Sequence, residues 1–482
     1  MVIWIIATRT FLNNVYDFRF LVALPLVIFV VSVSAFLSTS QAADKQSAYA
    51  QLRHAASETA GLESVKLVRR PAPLSFLYEG GEDELPRYLI TTADLVDFPI
   101  EEISTRALVE PFVRLDWVFI VLYFYSLLAI LLTFDLVSGQ RELRTLPLVL
   151  AQSVSRGALL LGSYLGTLLT LLPTLLIGYL IFLLAASVTG VWTLSGDDGI
   201  RLLVIFMLSL LFVSSIALFG VLASASFERS SASLTAAFLA WAMITVVVPG
   251  VGKLAVHLLV PAPSFKDLQT RVGTARAEYK TKLPAVWSMD IERIVKRPGL
   301  TPGQREQALD KYQSEILDAD KEAIAWYKSN LRRLRAEYLA RHQHRSGLVR
   351  RLEMLSPSSM FQHTVEAVVG TGQPHLAAFT RAAENYMNLY TRYSAQKREE
   401  LKNQARLSGF SVEESGYYLR SVSWIDYSKV EFDRSSMPGF EDPGVSIQQG
   451  FSFALADFSL LALLNIILFV LAYRAILTCR VN

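Results

Sequence analysis

Apolar residues in this chain are gathered into long blocks, not spread at the three-to-four-residue spacing of a soluble amphipathic helix. Six blocks approach or exceed the roughly 20 residues that cross a bilayer: Phe20–Leu37, Trp117–Phe134, Leu159–Ala186, Leu202–Leu222, Leu234–Val260 and Phe453–Tyr473. An even number of crossings puts both termini on one side. Lys and Arg in short loops mark the cytoplasmic face, whereas long segments translocate whatever their charge. Arg9 and Arg19 precede the first block, Arg141, Arg144 and Arg156 lie between the second and third, Arg229 between the fourth and fifth, and Arg474 and Arg480 after the sixth. The other short loop, Ser187–Gly199, has no Lys or Arg and carries Asp197 and Asp198. The pattern predicts cytoplasmic termini and three extracytoplasmic segments: Gln41–Arg114, Ser187–Gly199 and Pro261–Gln449.

The two long polar segments differ in character. Residues 41–114 open with a helix-like stretch, Ala42–Ala60. Pro71, Pro73, Gly80, Gly81 and Pro86 then separate short runs, Leu74–Tyr78 and Arg87–Thr92, that suit strands or extended chain. Residues 261–449 predict helices over Phe265–Lys282, Pro302–His342 and His375–Leu407, followed by an aromatic-rich, irregular return to the sixth span. The expected fold is an all-α polytopic membrane protein with six transmembrane helices, a small mixed external subdomain and a larger, mainly helical external domain. Its divisions are 1–40 (an amphipathic N-terminal helix and the first span), 41–114, 115–260 (spans two to five), 261–449, and 450–482 (the sixth span and a tail).

Composition adds little to this picture. The 482 residues are 52% hydrophobic and 18% charged, and the net charge of +3 is diluted by the charges of the long external segments. The one cysteine, Cys479, falls on the cytoplasmic side, so the external segments have no disulfide. Small residues after the first span, Ser38–Ala43, suggest signal-peptide cleavage. The apolar run is longer than a signal core, however, and Ile3–Phe18 is itself suited to an interface through Trp4, Ile5, Phe11, Val15 and Phe18, so retention as an anchor is expected.

The segment between spans two and three, FDLVSGQRELRTLPLVLAQSVSRGALLLGSYLG from Phe134 to Gly166, is the main candidate for chemistry. Its charges cost roughly 2.5–3.5 kcal/mol each in hydrocarbon, which keeps Arg141, Glu142, Arg144 and Arg156 in water or headgroups. Gly139 lets the chain leave span two, Gln140–Leu148 suits a short interfacial helix limited by Pro147, and Ser153–Arg156 can cap the entry to span three. Glu142 is available to cap a helix N-terminus or meet a partner's cation, and Arg141 and Arg144 to meet partner carboxylates. Against this stands a plain solvated loop held by anionic lipid.

These residues resemble the signature loop of type-2 ABC exporter permeases, carried here by Phe134, Asp135, Ser138, Gly139, Arg141, Glu142, Thr145, Leu146, Val154, Ser155, Arg156 and Gly162. The chain departs from that pattern at Gln140, where a second acid is usual, at Arg144, where Gly is usual, and at Ser153, where Pro is usual. The order of the six spans and the N-terminal segment fit as well. The large insertions after spans one and five, with Arg70–Phe76 (RPAPLSF), are similar to those of a bacterial subgroup of these permeases. The resemblance implies a coupling helix, here within residues 135–157, that docks on a separate ATPase subunit through Ser138, Gly139, Arg141, Glu142, Arg144, Thr145, Ser155 and Arg156. It also implies a second permease subunit, identical or similar, and a place in the bacterial inner membrane.

No G-x-x-x-x-G-K-[ST] phosphate loop occurs, so the chain is expected to be a transporter membrane subunit and no enzyme, with no cofactor of its own and with ATP and Mg bound by the partner. Within the spans, Thr167, Thr170, Asp457 and Asn465 are candidates to line a path, set against an interfacial place for Asp457 and interhelical hydrogen bonding for Asn465. Thr174 joins the same weak group. Gly162 with Gly166, and Gly220, Ala236 and Ala240, suit close helix approach, and Pro173 and Pro249 suit kinks. His342 and His344 are two residues apart among arginines, which fits a solvated basic helix better than a metal site. The basic run Lys328, Arg332, Arg333, Arg335, Arg341, Arg350 and Arg351 suits a solvated face or a site for lipid headgroups or protein; nucleic acid is not expected. The function expected is export driven by the partner's ATP hydrolysis. The alternative is a non-transporting subunit that passes ATP-driven motion to a periplasmic or envelope partner.

Overall fold

The computed structural model describes residues 1–62, 64–82, 85–92, 96–97, 115–151, 154–192, 196–260, 265–282, 301–407 and 434–478. Among the described residues, five helices are long and apolar enough to cross a membrane, in agreement with five of the six blocks. The chain starts with α1 (Val2–Tyr16) and α2 (Phe18–Thr59), which meet at Asp17, whose side chain caps α2 by accepting from Arg19 N. The first span does not stop at its apolar end: α2 runs on without a break through the segment read as a separate external helix.

The second block forms a shorter apolar helix, α3 (Trp117–Leu131), interrupted by a π-helical turn at Val121–Tyr125 and followed by turns that lead into α4 (Ser138–Glu142) and α5 (Leu146–Ala151). Next come α6 (Arg156–Val188) and α7 (Gly196–Ser226). The fifth block is α8 (Ser230–Ala242), a second π turn at Met243–Val247, and α9 (Val248–Leu259). Pro249 stands in the first turn of α9, where its missing N–H costs nothing and the π turn absorbs the change of pitch.

α1 runs parallel to the first half of α6. Gly162 and Gly166 make that approach possible, because a Cβ on Gly162 would lie 2.6 Å from Ile6 Cβ and one on Gly166 would lie 2.5 Å from Ala7 O. This is the small-xxx-small pair at work. The buried side of α1 is Ala7, Thr10 and Asn14, while Trp4, Ile5, Leu12 and Tyr16 are exposed. Elsewhere Gly178 admits Tyr125, and Gly220 admits Thr133, so small residues set the spacing at each of these crossings. Trp117, Tyr125, Phe182, Phe212 and Ile216 form part of the fully buried core between α3, α6 and α7.

Outside these helices, β1 (Ser64–Val68), β2 (Tyr88–Thr92) and β3 (Val96–Asp97) make a small antiparallel sheet in the order β1-β2-β3, with Ser64 opposite Thr92 and Val68 opposite Tyr88. Leu74–Tyr78, read as a possible strand, is a series of turns. The second insertion supplies α10 (Phe265–Lys282), α11 (Pro302–Glu353), α12 (Pro357–Val369) and α13 (Gly372–Leu407), and the chain ends in α14 (Ile447–Thr478). The two insertions are one packed unit. Val65, Leu67 and Leu89 of the sheet bury themselves against Phe379, Ala383, Tyr386 and Tyr390 of α13. Tyr390 Oη donates to Gly61 O at 2.7 Å, and Arg398 donates to Leu62 O at 2.6 Å.

α12 was not read from the sequence as an element. Ten of its residues are buried, and Phe361 stacks on Phe212 near the middle of α7 with centroids 4.9 Å apart. Ser356 Oγ, just ahead of α12, donates to Ile244 O in the π turn between α8 and α9 at 2.6 Å. At the other end Gly370, left-handed with φ 81°, stops the helix, and the Arg201 guanidinium reaches Val368 O at 2.8 Å and also Val445 O. α11 and α12 thus form a helical hairpin whose tip lies among the spans.

Candidate coupling site

The α4–α5 elbow is fastened to its own protein by nearly every polar residue of the signature loop. Val137 N and Ser138 N both donate to Ser224 Oγ, at 2.9 and 3.1 Å, and Ser138 Oγ donates to Phe134 O at 2.9 Å. Asp135 pairs with Arg19 at 2.8 Å, and the same guanidinium lies 5.0 Å from the centre of the Phe134 ring. Arg141 reaches the C-terminal end of α7, donating to Ala225 O at 2.9 Å and Phe227 O at 3.2 Å. Those carbonyls are among the last of a helix and attract a cation.

Glu142 completes the joint. Arg229, the residue before α8, makes no side-chain cap, and the Glu142 carboxylate supplies one by accepting from Ser230 N at 3.1 Å. That backbone hydrogen bond, then the Ser230 hydroxyl and the charge of Arg229, hold the Glu142 carboxyl below its ordinary value. The alternative of meeting a partner's cation is therefore not the geometry seen.

Arg144 has a φ of 56°, the left-handed conformation that costs an L-residue about 1–2 kcal/mol and costs glycine nothing. This is the position where the resembled loops carry glycine, so the backbone keeps the turn although the residue differs. Thr145 Oγ1 donates to Gln140 O at 3.2 Å across the turn. Leu146 then buries itself against Leu159, with Val154 alongside, while Leu143 and Leu148 are 75% and 67% exposed. Ser155 Oγ caps α6 by accepting from Ala158 N at 3.1 Å, and Arg156 donates to Leu477 O and Ile476 O at the end of α14. Ser153 lies outside the described residues. The elbow is thus tied to the end of α7 and the start of α8, and the start of α6 behind it to the end of α14, with the elbow's apolar knuckle turned outward.

The four path candidates engage different neighbours. Thr167 and Thr170 are buried and donate to carbonyls one turn back on α6; Thr170 also accepts from Asn14 of α1 at 3.4 Å. Asn465 hydrogen-bonds across helices, donating to Ser215 Oγ at 2.6 Å and accepting from Ser214 Oγ at 2.9 Å. Asp457 is fully buried and pairs with Arg350 of α11 at 2.5 Å, which takes one member out of the basic run.

The chain matches the family model described as ABC-2 family transporter protein over residues 4–473. It belongs to the ABC-2 transporter family. No curated protein matches it. As an ABC-2 permease it is a multi-pass membrane subunit of an ABC transporter, a family that works with ABC ATPase subunits.

Sequence reasoning did not find the partners of the loop, Ser224 and Ser230, because they lie far along the chain in a small-residue stretch without a motif. It also missed a buried charge cluster in the unit that the two insertions form. There Glu82 accepts from His375 Nδ1 at 2.8 Å and from Gly372 N at 2.8 Å, and pairs with Arg69; Asp442 accepts from His375 Nε2 at 3.1 Å, Arg70 N at 2.9 Å and Gly444 N at 3.0 Å. Both ring nitrogens donate to acids, which is the charged imidazolium. Burial pulls the His375 pKa down, but the hydrogen bonds and charges of Asp442 and Glu82 outweigh it and hold it at about 9. Burial likewise raises Glu82 and Asp442, and His375 chiefly brings both below their ordinary values.

Proposed function

We propose that this ABC-2 permease is an exporter subunit of the bacterial inner membrane, with six crossings and cytoplasmic termini, driven by ATP and Mg bound on a separate ATPase. The observation that carries the reading is the α4–α5 elbow, which offers Leu143, Pro147 and Leu148 outward while Arg141, Glu142 and Arg156 bind it to three spans. An ATPase that grips the apolar knuckle moves the ends of α7, α8 and α14 together. Phe238, Leu239, Met243, Val246, Val251 and Leu254 leave an apolar stripe on α8 and α9, which suits a second permease subunit across the path.

The test is ATP hydrolysis by the assembled complex in lipid. Leu143→Asp with Leu148→Asp should abolish ATPase association while the permease still inserts. Arg141→Ala should keep association and lose the coupling of hydrolysis to transport. Normal association and coupling in both variants would sink the assignment. A second reading, motion passed to an envelope partner, is favoured by α11, 52 residues long and tied to α14 through Arg350–Asp457. ATPase activity stimulated only by a protein bound to residues 261–449 would support it over transport.

A further inference from the structure

The tip of the α11–α12 hairpin collects polar atoms that the fold buries and does not satisfy. Thr245 Oγ1, Arg350 Nε, Ser359 Oγ, His363 Nδ1 and Asp457 Oδ1 are all buried without a hydrogen-bond partner among the described residues. Ser359 is 1% exposed, Thr245 5% and Asp457 0%. Arg350, Asp457 and His363 have partners through their other polar atoms, whereas Thr245 Oγ1 and Ser359 Oγ have none among the described residues, and a buried polar group left so costs about 1–3 kcal/mol.

Three contacts bring them together. Ser358 Oγ lies 3.5 Å from Thr245 O, which seats the first turn of α12 on the π turn between α8 and α9. Arg350 reaches Asp457, and one turn on, Glu353 Oε2 lies 3.0 Å from His363 Nε2. α12 and α14 run antiparallel, and a Cβ on Gly450 would lie 2.6 Å from Ala367 O. Stepping back two turns, about 10.5 Å, puts Asp457 level with Met360, between Ser359 and His363. The N-terminus of α12 points into the same place: Ser356, its cap residue, makes no cap hydrogen bond, because its hydroxyl is spent on Ile244 O. The first-turn N–H groups of a helix have no intrahelical acceptor.

We propose that this is a binding site for a neutral group that both donates and accepts hydrogen bonds, the hydroxyl or amide end of a cargo molecule on its way out. The charges decide against an ion. Arg350 is matched by Asp457, and Glu353 sits on His363, so an added anion meets two carboxylates and an added cation meets a guanidinium. Donors outnumber acceptors but both are present, as a hydroxyl or amide requires. The site rests on the export reading for its role and not for its existence.

The test uses single-cysteine permeases in a Cys479→Ser background, assembled with the ATPase in lipid. Ser359→Cys and Thr245→Cys are treated with three thiosulfonate reagents: neutral hydroxyethyl, anionic sulfonatoethyl and cationic trimethylammonioethyl. Both cysteines should react with the neutral reagent at least about tenfold faster than with either charged one, and Val365→Cys, in the apolar core of α12, should not react. No reaction with any reagent, or equal rates for all three, overturns the site. Size-exclusion profiles confirm that each variant is folded. Labelling is read without nucleotide, so selective labelling in a complex that exports nothing keeps the site and defeats the transport reading.

Discussion

At the scale of single residues, backbone conformation and side-chain size account for the positions that depart from expectation. Arg144 keeps a left-handed turn that glycine would take without cost. Arg144→Gly should raise thermal stability, by about 1 kcal/mol, whereas a β-branched Val there should lower it by about 1–2 kcal/mol. Gly166 is a matter of space: a leucine would strike Ala7 O and Thr10, and Gly166→Leu should cost about 1–3 kcal/mol and detach α1 from α6, measured as faster proteolysis of residues 1–17. The small-xxx-small pair was legible in the sequence, but its partner was not. Nothing in the spacing of Gly162 and Gly166 says that the neighbour is α1 and not another span.

At the scale of elements, the charge cluster decides how the two insertions stay joined. The connection between β1 and β2 carries Arg69 and Glu82, α13 carries His375, and the approach to α14 carries Asp442. His375→Ala leaves Glu82 and Asp442 buried without the imidazolium between them and should destabilise the unit formed by the two insertions by about 3–5 kcal/mol. The pH dependence follows from the shifts. His375 is raised from 6.5 to about 9, so its contribution is complete below pH 6.5 and is lost as pH climbs through 9. Glu82 and Asp442 are lowered from 4.5 and 3.8, so theirs is present above those values and is lost on further acidification. The thermal stability of that unit in the intact complex should therefore be highest between about pH 4.5 and 6.5 and fall by pH 9, with the alkaline fall missing in His375→Ala. The cluster was invisible in the sequence because its four side chains are spread over 374 positions and share no period.

At the scale of the whole molecule, Arg201 ties the N-terminal end of α7 to the C-terminal end of α12 and to Val445 before α14. Arg201→Met should loosen the hairpin from the spans, seen as increased hydrogen exchange in residues 357–369 while α4 and α5 stay protected. Together with the contacts of Arg141 and Arg156, this fastens α7 and α14 at both of their ends. The basic run on α11 illustrates the same change of view. Read along the chain it is a solvated face, yet Arg350 turns inward and meets Asp457, because a buried carboxylate in a span is too costly to leave without a cation.

The sequence by itself determined what depends on composition over a window or on a residue's own backbone: apolar blocks, loop charges, the signature loop and the helical character of the second insertion. Five blocks are helices long enough to span, and the second is a shorter, π-interrupted helix. The tertiary structure decided which distant groups meet. It turned Arg141 and Glu142 inward to cap α7 and α8, left Leu143 and Leu148 outside, and folded the two insertions into one unit. It also drew α12 in among the spans, where Met360, Phe361, Val365, Val368 and Val369 are covered, and a pattern of residues does not name what covers them.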